Sequence, residues 1–106
     1  MIDKNKILLD LKVRLQEQFP SAINNVVLFG SQANNNANEF SDYDVLILLN
    51  NDYTKQDEDR ILDICYDMDL KYNILIDVHL LSLKEMNSLR GKQPIFANAI
   101  KNGIYA

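Results

Sequence analysis

The chain has 106 residues, of which 47% are hydrophobic and 25% are charged, a composition typical of one compact globular domain rather than a disordered segment. Eleven Lys and Arg residues against fifteen Asp and Glu residues give a net charge of −4, which argues against a general polyanion-binding surface, so direct nucleic-acid binding is not expected. The single cysteine, Cys65, cannot form an internal disulfide, and no apolar run approaches the roughly 18 residues of a membrane helix. We therefore expect one soluble, cytoplasmic domain over residues 1–106, with no membrane partner.

The first half of the chain predicts one helix and two strands. Residues 4–19 place apolar side chains at helical spacings, and Pro20 favours an end to that helix at the preceding residue. Residues 26–29 are a β-branched and aromatic run that stops at Gly30, and residues 45–49 form an apolar run typical of a strand buried on both faces. The polar segment between these strands has room for one helical turn.

The second half predicts a helix, a strand and a helical tail. An imperfect capping box that starts at Thr54 predicts a helix continuing to Tyr72, and residues 74–81 form the third strand. A complete capping box at Ser82 opens a short helix, and residues 95–101 predict a last one.

The predicted order is therefore helix, strand, short helical turn, strand, helix, strand and two helices. A helix between two strands favours a parallel crossover, whereas the short link between the first two strands points to a mixed arrangement. The pattern predicts the α/β (α+β) class, with a small mixed sheet packed against helices.

Three aspartates draw attention because of where they lie relative to the predicted strands. Asp42 and Asp44 are two residues apart at the start of the second strand, so their side chains point to the same face, and Asp77 lies within the third strand. If those strands are neighbours, the three carboxylates converge and repel one another unless a cation neutralises them. Carboxylate oxygens suit Mg²⁺ or Mn²⁺. The pattern predicts a divalent-metal site formed by Asp42, Asp44 and Asp77.

Each of these residues also has an ordinary structural explanation. An Asp-x-Asp pair after a polar loop is often turn or cap chemistry, and Asp77 could face solvent on the wet side of a mixed sheet. His79 shares the face of Asp77 and could approach a metal or substrate. For His79 the sequence favours a partly exposed strand residue without a ligand role.

Gly30 and Ser31 suggest a phosphate-binding turn at the end of the first strand. A glycine there lets the backbone turn sharply and approach a ligand closely. If a short helix follows, its first N–H groups favour an anion, and the Ser31 hydroxyl can cap the helix or donate to a phosphate oxygen. A phosphate cradle that faces a carboxylate metal site is the apparatus of phosphoryl or nucleotidyl transfer.

These motifs resemble the signature of the minimal nucleotidyltransferases (MNT), a branch of the DNA polymerase beta-like superfamily. More specifically, the chain is similar to the antitoxin half of the MNT–HEPN toxin–antitoxin systems. In this chain ten residues, Gln32 to Ser41, separate Gly30-Ser31 from Asp42-x-Asp44. The similarity extends over nearly the whole chain. The matching segments, in the family's order, are LFGSQA (28–33), SDYDVL (41–46), IDV (76–78) and the tail 95–105.

The resemblance implies a fold, a reaction and a partner. Asp42 and Asp44 would bind the divalent ions and the triphosphate, Asp77 would be the third carboxylate that also helps to activate the attacking hydroxyl, and Gly30 and Ser31 would hold the nucleotide phosphates. The implied enzyme is a Mg²⁺-dependent nucleotidyltransferase (protein adenylyltransferase-like) that moves AMP from ATP, with pyrophosphate leaving. The implied acceptor is a tyrosine of a HEPN toxin, a ribonuclease that adenylylation silences.

The chain departs from the family's pattern at one place. Many relatives read Gly-Ser-x-Ala-Arg-Gly, and the last two positions here are Asn34 and Asn35. Asparagine tolerates the left-handed backbone that glycine permits, but an amide cannot replace the charge and forked donors of arginine. This departure favours an alternative in which the chain is a non-catalytic antitoxin that neutralises its partner by contact.

A further alternative is an aminoglycoside-like transfer to a small molecule, with a partner chain that supplies the missing substrate domain. The sequence leaves open the acceptor, the nucleotide preference and the oligomeric state, whether homo- or hetero-oligomer.

Overall fold

A computed structural model describes residues 3–30 and 42–106 of the chain. In these ranges the elements follow the predicted order and end with a short strand that the sequence did not predict. The predicted helical turn after Gly30 lies outside the described residues. The elements are α1 (Lys4–Gln18), β1 (Ile23–Phe29), β2 (Tyr43–Leu49), α2 (Lys55–Tyr72), β3 (Ile76–Ser82), α3 (Leu83–Met86), α4 (Pro94–Asn102) and β4 (Ile104–Tyr105).

The helix boundaries follow from local capping chemistry. At the start of α2 the Thr54 side chain accepts from the Asp57 N–H, and the Asp57 side chain accepts from the Thr54 N–H, so the predicted capping box is confirmed. The box predicted at Ser82 is confirmed in the same way for α3. Helix α2 ends at Asn73, which adopts the left-handed conformation with φ 54° that an asparagine tolerates.

The four strands form one mixed sheet in the order β3-β2-β1-β4. Strand β1 pairs antiparallel with β2 and with β4, whereas β2 pairs parallel with β3 through the crossover helix α2. The predicted mixed sheet and parallel crossover are confirmed. The missed strand β4 is two residues long and continues the sheet beyond β1.

The two faces of the sheet are covered by different helices. Helices α1 and α2 cover one face, and their core includes Cys65, where burial raises the pKa of the thiol to about 12. Helix α4 packs on the other face. The core residues there are Val27, Phe29, Leu46, Leu48, Leu81, Phe96 and Ala99. No helix in the described ranges is both long and apolar enough to cross a membrane.

Candidate active site

Asp44 and Asp77 lie side by side at the beginning of two parallel strands. They are direct partners in the register of β2 and β3. Strand residues alternate between faces, so Asp44 shares the face of Leu46 and Asp77 that of Leu81, which is the face covered by α4. Two carboxylates thus lie next to each other where the apolar cover of that face ends.

Hydrogen bonds from backbone N–H groups fix the residue that precedes each carboxylate. The Tyr43 N–H donates to the Leu75 carbonyl at 2.8 Å, and the Ile76 N–H donates to the Asp69 carboxylate at 2.9 Å. Asp69 lies in the last turn of α2, so the end of this helix sets where β3 begins. The relative position of Asp44 and Asp77 is therefore determined by these hydrogen bonds and by the pairing of β2 with β3.

His79 joins the two carboxylates on the same face. One ligand atom from each of Asp44, Asp77 and His79 lies within 4.8 Å of the other two. Only 23% of the His79 side chain is exposed, and its Nε2 atom is buried, with no hydrogen-bond partner among the described residues. This nitrogen lies 3.5 Å from Oδ2 of Asp77. The sequence favoured no ligand role for His79, yet its spacing of two from Asp77 was the signal for a shared face.

The electrostatics of the cluster are unfavourable without a cation. Burial raises the pKa of Asp44, and the charges of Asp77 and Asp42 raise it further, while His79 acts in the opposite direction. Within residues 3–30 and 42–106, no Lys or Arg lies within ion-pair distance of Asp44 or Asp77. All eleven Lys and Arg residues of the sequence fall in those two ranges. The carboxylates thus have no Lys or Arg as counter-charge, and the basic group beside them is the imidazole of His79.

Asp42 occupies a different position from the other two predicted carboxylates. It is exposed and lies immediately before β2. Its negative charge acts on Asp44, but its carboxylate is not in the close group with Asp77 and His79. The described structure therefore brings together two of the three predicted carboxylates and adds one imidazole.

Gly30 makes room for the carboxylate of Asp44. Its φ of 75° lies in the left-handed region, and a Cβ atom at this position would collide with Oδ2 of Asp44. Phe29, the preceding residue, is the register partner of Asp44 across β1 and β2. The close approach of Gly30 to Asp44 is a reason for glycine that the sequence did not predict. Ser31, Asn34 and Asn35 lie outside the described residues.

The donor set of the cluster fits a divalent cation. Two carboxylates and one imidazole are ordinary ligands of divalent metals, and the buried, unpaired nitrogen of His79 has no protein partner in the described ranges to satisfy it. A cation there would relieve the repulsion between Asp44 and Asp77.

Known proteins resemble this chain in sequence. A family model described as "Nucleotidyltransferase domain" matches residues 8–102. The "Putative protein adenylyltransferase MJ0141" of Methanocaldococcus jannaschii is 35% identical over 71 residues, which are 67% of this chain and 72% of that protein.

Two crystal structures of mutants of the toxin-antitoxin MntA-HpeT share the fold. One has a TM-score of 0.56 at 17% identity and covers 100% of this chain and 72% of its own. The other has a TM-score of 0.57 at 15% identity and covers 98% of this chain and 72% of its own. The likeness of the chain to these two structures is one of fold.

Proposed function

Because the chain belongs to the family of nucleotidyltransferase domains and is a nucleotidyltransferase, we propose that it moves AMP from ATP to a hydroxyl of a partner protein. In this proposal the acceptor is a tyrosine of a helical HEPN toxin, and the chain acts as its antitoxin. The name of the Methanocaldococcus relative supports a protein acceptor, and the MntA-HpeT structures support a toxin partner. Residues 1–106 act as a single minimal nucleotidyltransferase domain in the cytoplasm.

The observation that carries the proposal is the adjacency of Asp44 and Asp77, beside which the described residues place His79 but no Lys or Arg. In the proposal these two carboxylates, together with that of Asp42, would hold a divalent ion, Mg²⁺ or Mn²⁺. Such an ion neutralises charge on the triphosphate and polarises the α-phosphoryl group.

The chain's own residues orient the two substrates. Asp77 is 55% exposed, so an acceptor hydroxyl can reach it, and its carboxylate accepts the proton as that oxygen attacks the α-phosphorus. The new oxygen–phosphorus bond forms as the bond to the β-phosphate oxygen breaks, and pyrophosphate leaves. Gly30 and Ser31, which follow β1 in the sequence, would bind the phosphates.

The test is labelling of the partner. The chain is co-expressed with a helical protein encoded beside it, and the complex is incubated with Mg²⁺ and ATP labelled at the α-phosphate. We expect label on the partner with the natural chain and none with the Asp42→Ala, Asp44→Ala double variant. The Asp63→Ala, Asp67→Ala double variant removes the same charge from exposed positions of α2 and should label normally. Full labelling by the first variant would reject the mechanism.

A non-catalytic antitoxin is the second candidate, and the substitution of Arg-Gly by Asn34 and Asn35 favours it. In this case protection from the toxin needs contact only. Undiminished protection by the Asp42→Ala, Asp44→Ala variant would select it. Transfer to a small molecule is separated from both by mass analysis of the products formed from labelled ATP.

A further inference from the structure

We propose that His79 supplies a nitrogen ligand to the divalent ion held by Asp44 and Asp77, and that this nitrogen makes the site favour a transition-metal ion over Mg²⁺. The proposal rests on the proposed function only in requiring that the two carboxylates bind a divalent ion. It adds His79 to the three predicted carboxylate ligands, and it states which metal ions this residue makes the site prefer.

The separations among the three side chains suit a common ion. Two adjacent ligands of an octahedral ion lie about 3 Å apart, and two opposite ligands lie about 4.2 Å apart, since each bond is about 2.1 Å long. The Nε2 atom of His79 is 3.5 Å from Oδ2 of Asp77, and the whole group is contained within 4.8 Å. The three ligand atoms therefore lie close enough together for small side-chain movements to let them share one ion.

Aromatic neighbours hold the imidazole ring in place. The ring centroid of His79 lies 5.4 Å from that of Phe29, which is tilted by 57°, and 6.4 Å from that of Phe96, which meets it edge-on. The guanidinium of Arg90 lies over the Phe96 ring, 4.9 Å from its centroid. Arg90 also forms an ion pair with Glu85, with 3.1 Å between Nε and Oε2. The packing thus positions the nitrogen before any ion arrives.

The state of the nitrogen points to a missing partner. Nε2 of His79 is buried and makes no hydrogen bond within the described ranges, although a buried polar nitrogen usually has a partner. The Asp77 carboxylate, 3.5 Å from it, is beyond normal hydrogen-bond distance. Coordination of an ion shared with Asp77 would satisfy this nitrogen.

A nitrogen ligand changes which metal binds best. Mg²⁺ demands oxygen ligands and dehydrates reluctantly, whereas imidazole suits transition ions such as Fe²⁺, Ni²⁺ and Zn²⁺, and affinity rises along the first row from Mn²⁺ towards Cu²⁺. The imidazole therefore increases the affinity of a site with two carboxylates more for Co²⁺ than for Mg²⁺. The residue that sets this preference is His79.

The first experiment detects the nitrogen directly. Tag-free protein is loaded with Mn²⁺ and examined by electron spin echo modulation for coupling to imidazole ¹⁴N. Since His79 is the only histidine in the sequence, such a signal has a single source. We expect the modulation in the natural chain and its loss in His79→Asn and in His79→Phe, the second of which keeps an aromatic ring between Phe29 and Phe96.

The second experiment measures preference by titration calorimetry with Co²⁺ and Mg²⁺ alone. Both His79 variants should lower the Co²⁺ affinity about tenfold or more and change the Mg²⁺ affinity less than about threefold. Thermal unfolding identifies a variant that fails to fold, and the other variant then decides. Bound Mn²⁺ without the ¹⁴N signal would overturn this inference alone. No divalent binding by the natural chain would overturn the proposed function as well.

Discussion

Asp10 and Asp44 are two partly buried acids with opposite surroundings. Asp10 on α1 accepts hydrogen bonds from Lys71 at 2.8 Å, Tyr72 at 2.6 Å and Arg14 at 3.0 Å. These donors hold the pKa of Asp10 well below its usual range, Lys71 having the largest effect. Asp44 instead lies beside a second carboxylate, and burial raises its pKa.

The difference distinguishes a negative charge that is balanced within the fold from one that is not. The partners of Asp10 join α1 to the end of α2, so its negative charge is balanced inside the fold. The carboxylates of Asp44 and Asp77 have no such balance among the described residues, and the fold holds them together against their repulsion. An unbalanced cluster that the backbone positions this firmly is typical of a site that an added cation completes.

The largest expected effect that tests this comparison is on catalysis. Asp44→Asn should lower the rate of AMP transfer to the partner by about 1,000-fold or more, because the amide cannot replace the charge that holds the ion. Asp10→Asn is the matched control and should change the rate less than about twofold. Transfer from α-labelled ATP measures both. An equal loss of transfer rate in the two variants would show that Asp44 has no special part in the reaction.

The next effect concerns the space that Gly30 leaves for Asp44. Gly30→Ala should lower the free energy of unfolding by about 2 kcal/mol or more, because it combines a left-handed backbone with a collision at the Asp44 carboxylate. Urea unfolding measures the change. In the Asp44→Ala background the loss should shrink, since the collision is removed and only the backbone strain remains. A loss of the same size in both backgrounds would show that the carboxylate is not what the alanine meets.

The two acids should also differ in what they contribute to stability. Asp10→Asn should lower the free energy of unfolding by about 1–2 kcal/mol at neutral pH, after allowance for the partial exposure of Lys71. Asp44→Asn should leave it unchanged or raise it by up to about 1 kcal/mol in the absence of divalent ions, because it removes repulsion from Asp77. Urea unfolding in a chelating buffer measures both. A marked loss of stability in Asp44→Asn would mean that its charge is internally balanced after all.

The smallest effect is the pH dependence of stability. The pKa of Asp10 is lowered from 3.8 in the folded chain, so its contribution is complete above that value and is lost as the pH falls below it. The pKa of Asp44 is raised, so its effect has the opposite sign, and stability declines as the pH rises from 3.8 through the raised value.

The free energy of unfolding, measured as a function of pH in the acid range, checks the direction of both effects. Asp10→Asn should flatten the stability loss below pH 3.8, and Asp44→Asn should remove the decline above it. Unaltered profiles in both variants would contradict the assignment of these shifts.

Local sequence signals predicted most of the fold. The capping box at Thr54 and Pro20 after α1 placed the helix limits within a few residues, and the length of α2 predicted the parallel pairing of β2 and β3. Strand β4 could not be predicted, since two residues show no periodicity and their pairing with Val27 and Leu28 is made by the backbone.

The sequence predicted which side chains share a face of the sheet, but it did not predict how close His79 lies to the two aspartates. Alternation along a strand places Asp44, Asp77 and His79 on one face, and the inferred pairing of β2 and β3 predicted that the two aspartates meet. The inclusion of His79 depends on how Phe29 and Phe96 pack around it, which only the three-dimensional structure shows. The roles of Asp42 and Ser31 in binding metal and phosphate stay predictions.

The burial of Cys65 has a practical consequence for spectroscopy. The chain has one cysteine, only 2% exposed, and burial keeps its thiol protonated and unreactive at neutral pH. A thiol introduced by Asn51→Cys, in the exposed turn that follows β2, would therefore be the single group that a maleimide dye modifies. Strand β2 separates that turn from Asp44 by roughly 20 Å at 3.3 Å per residue, so a fluorophore there could report nucleotide binding without touching the ligands.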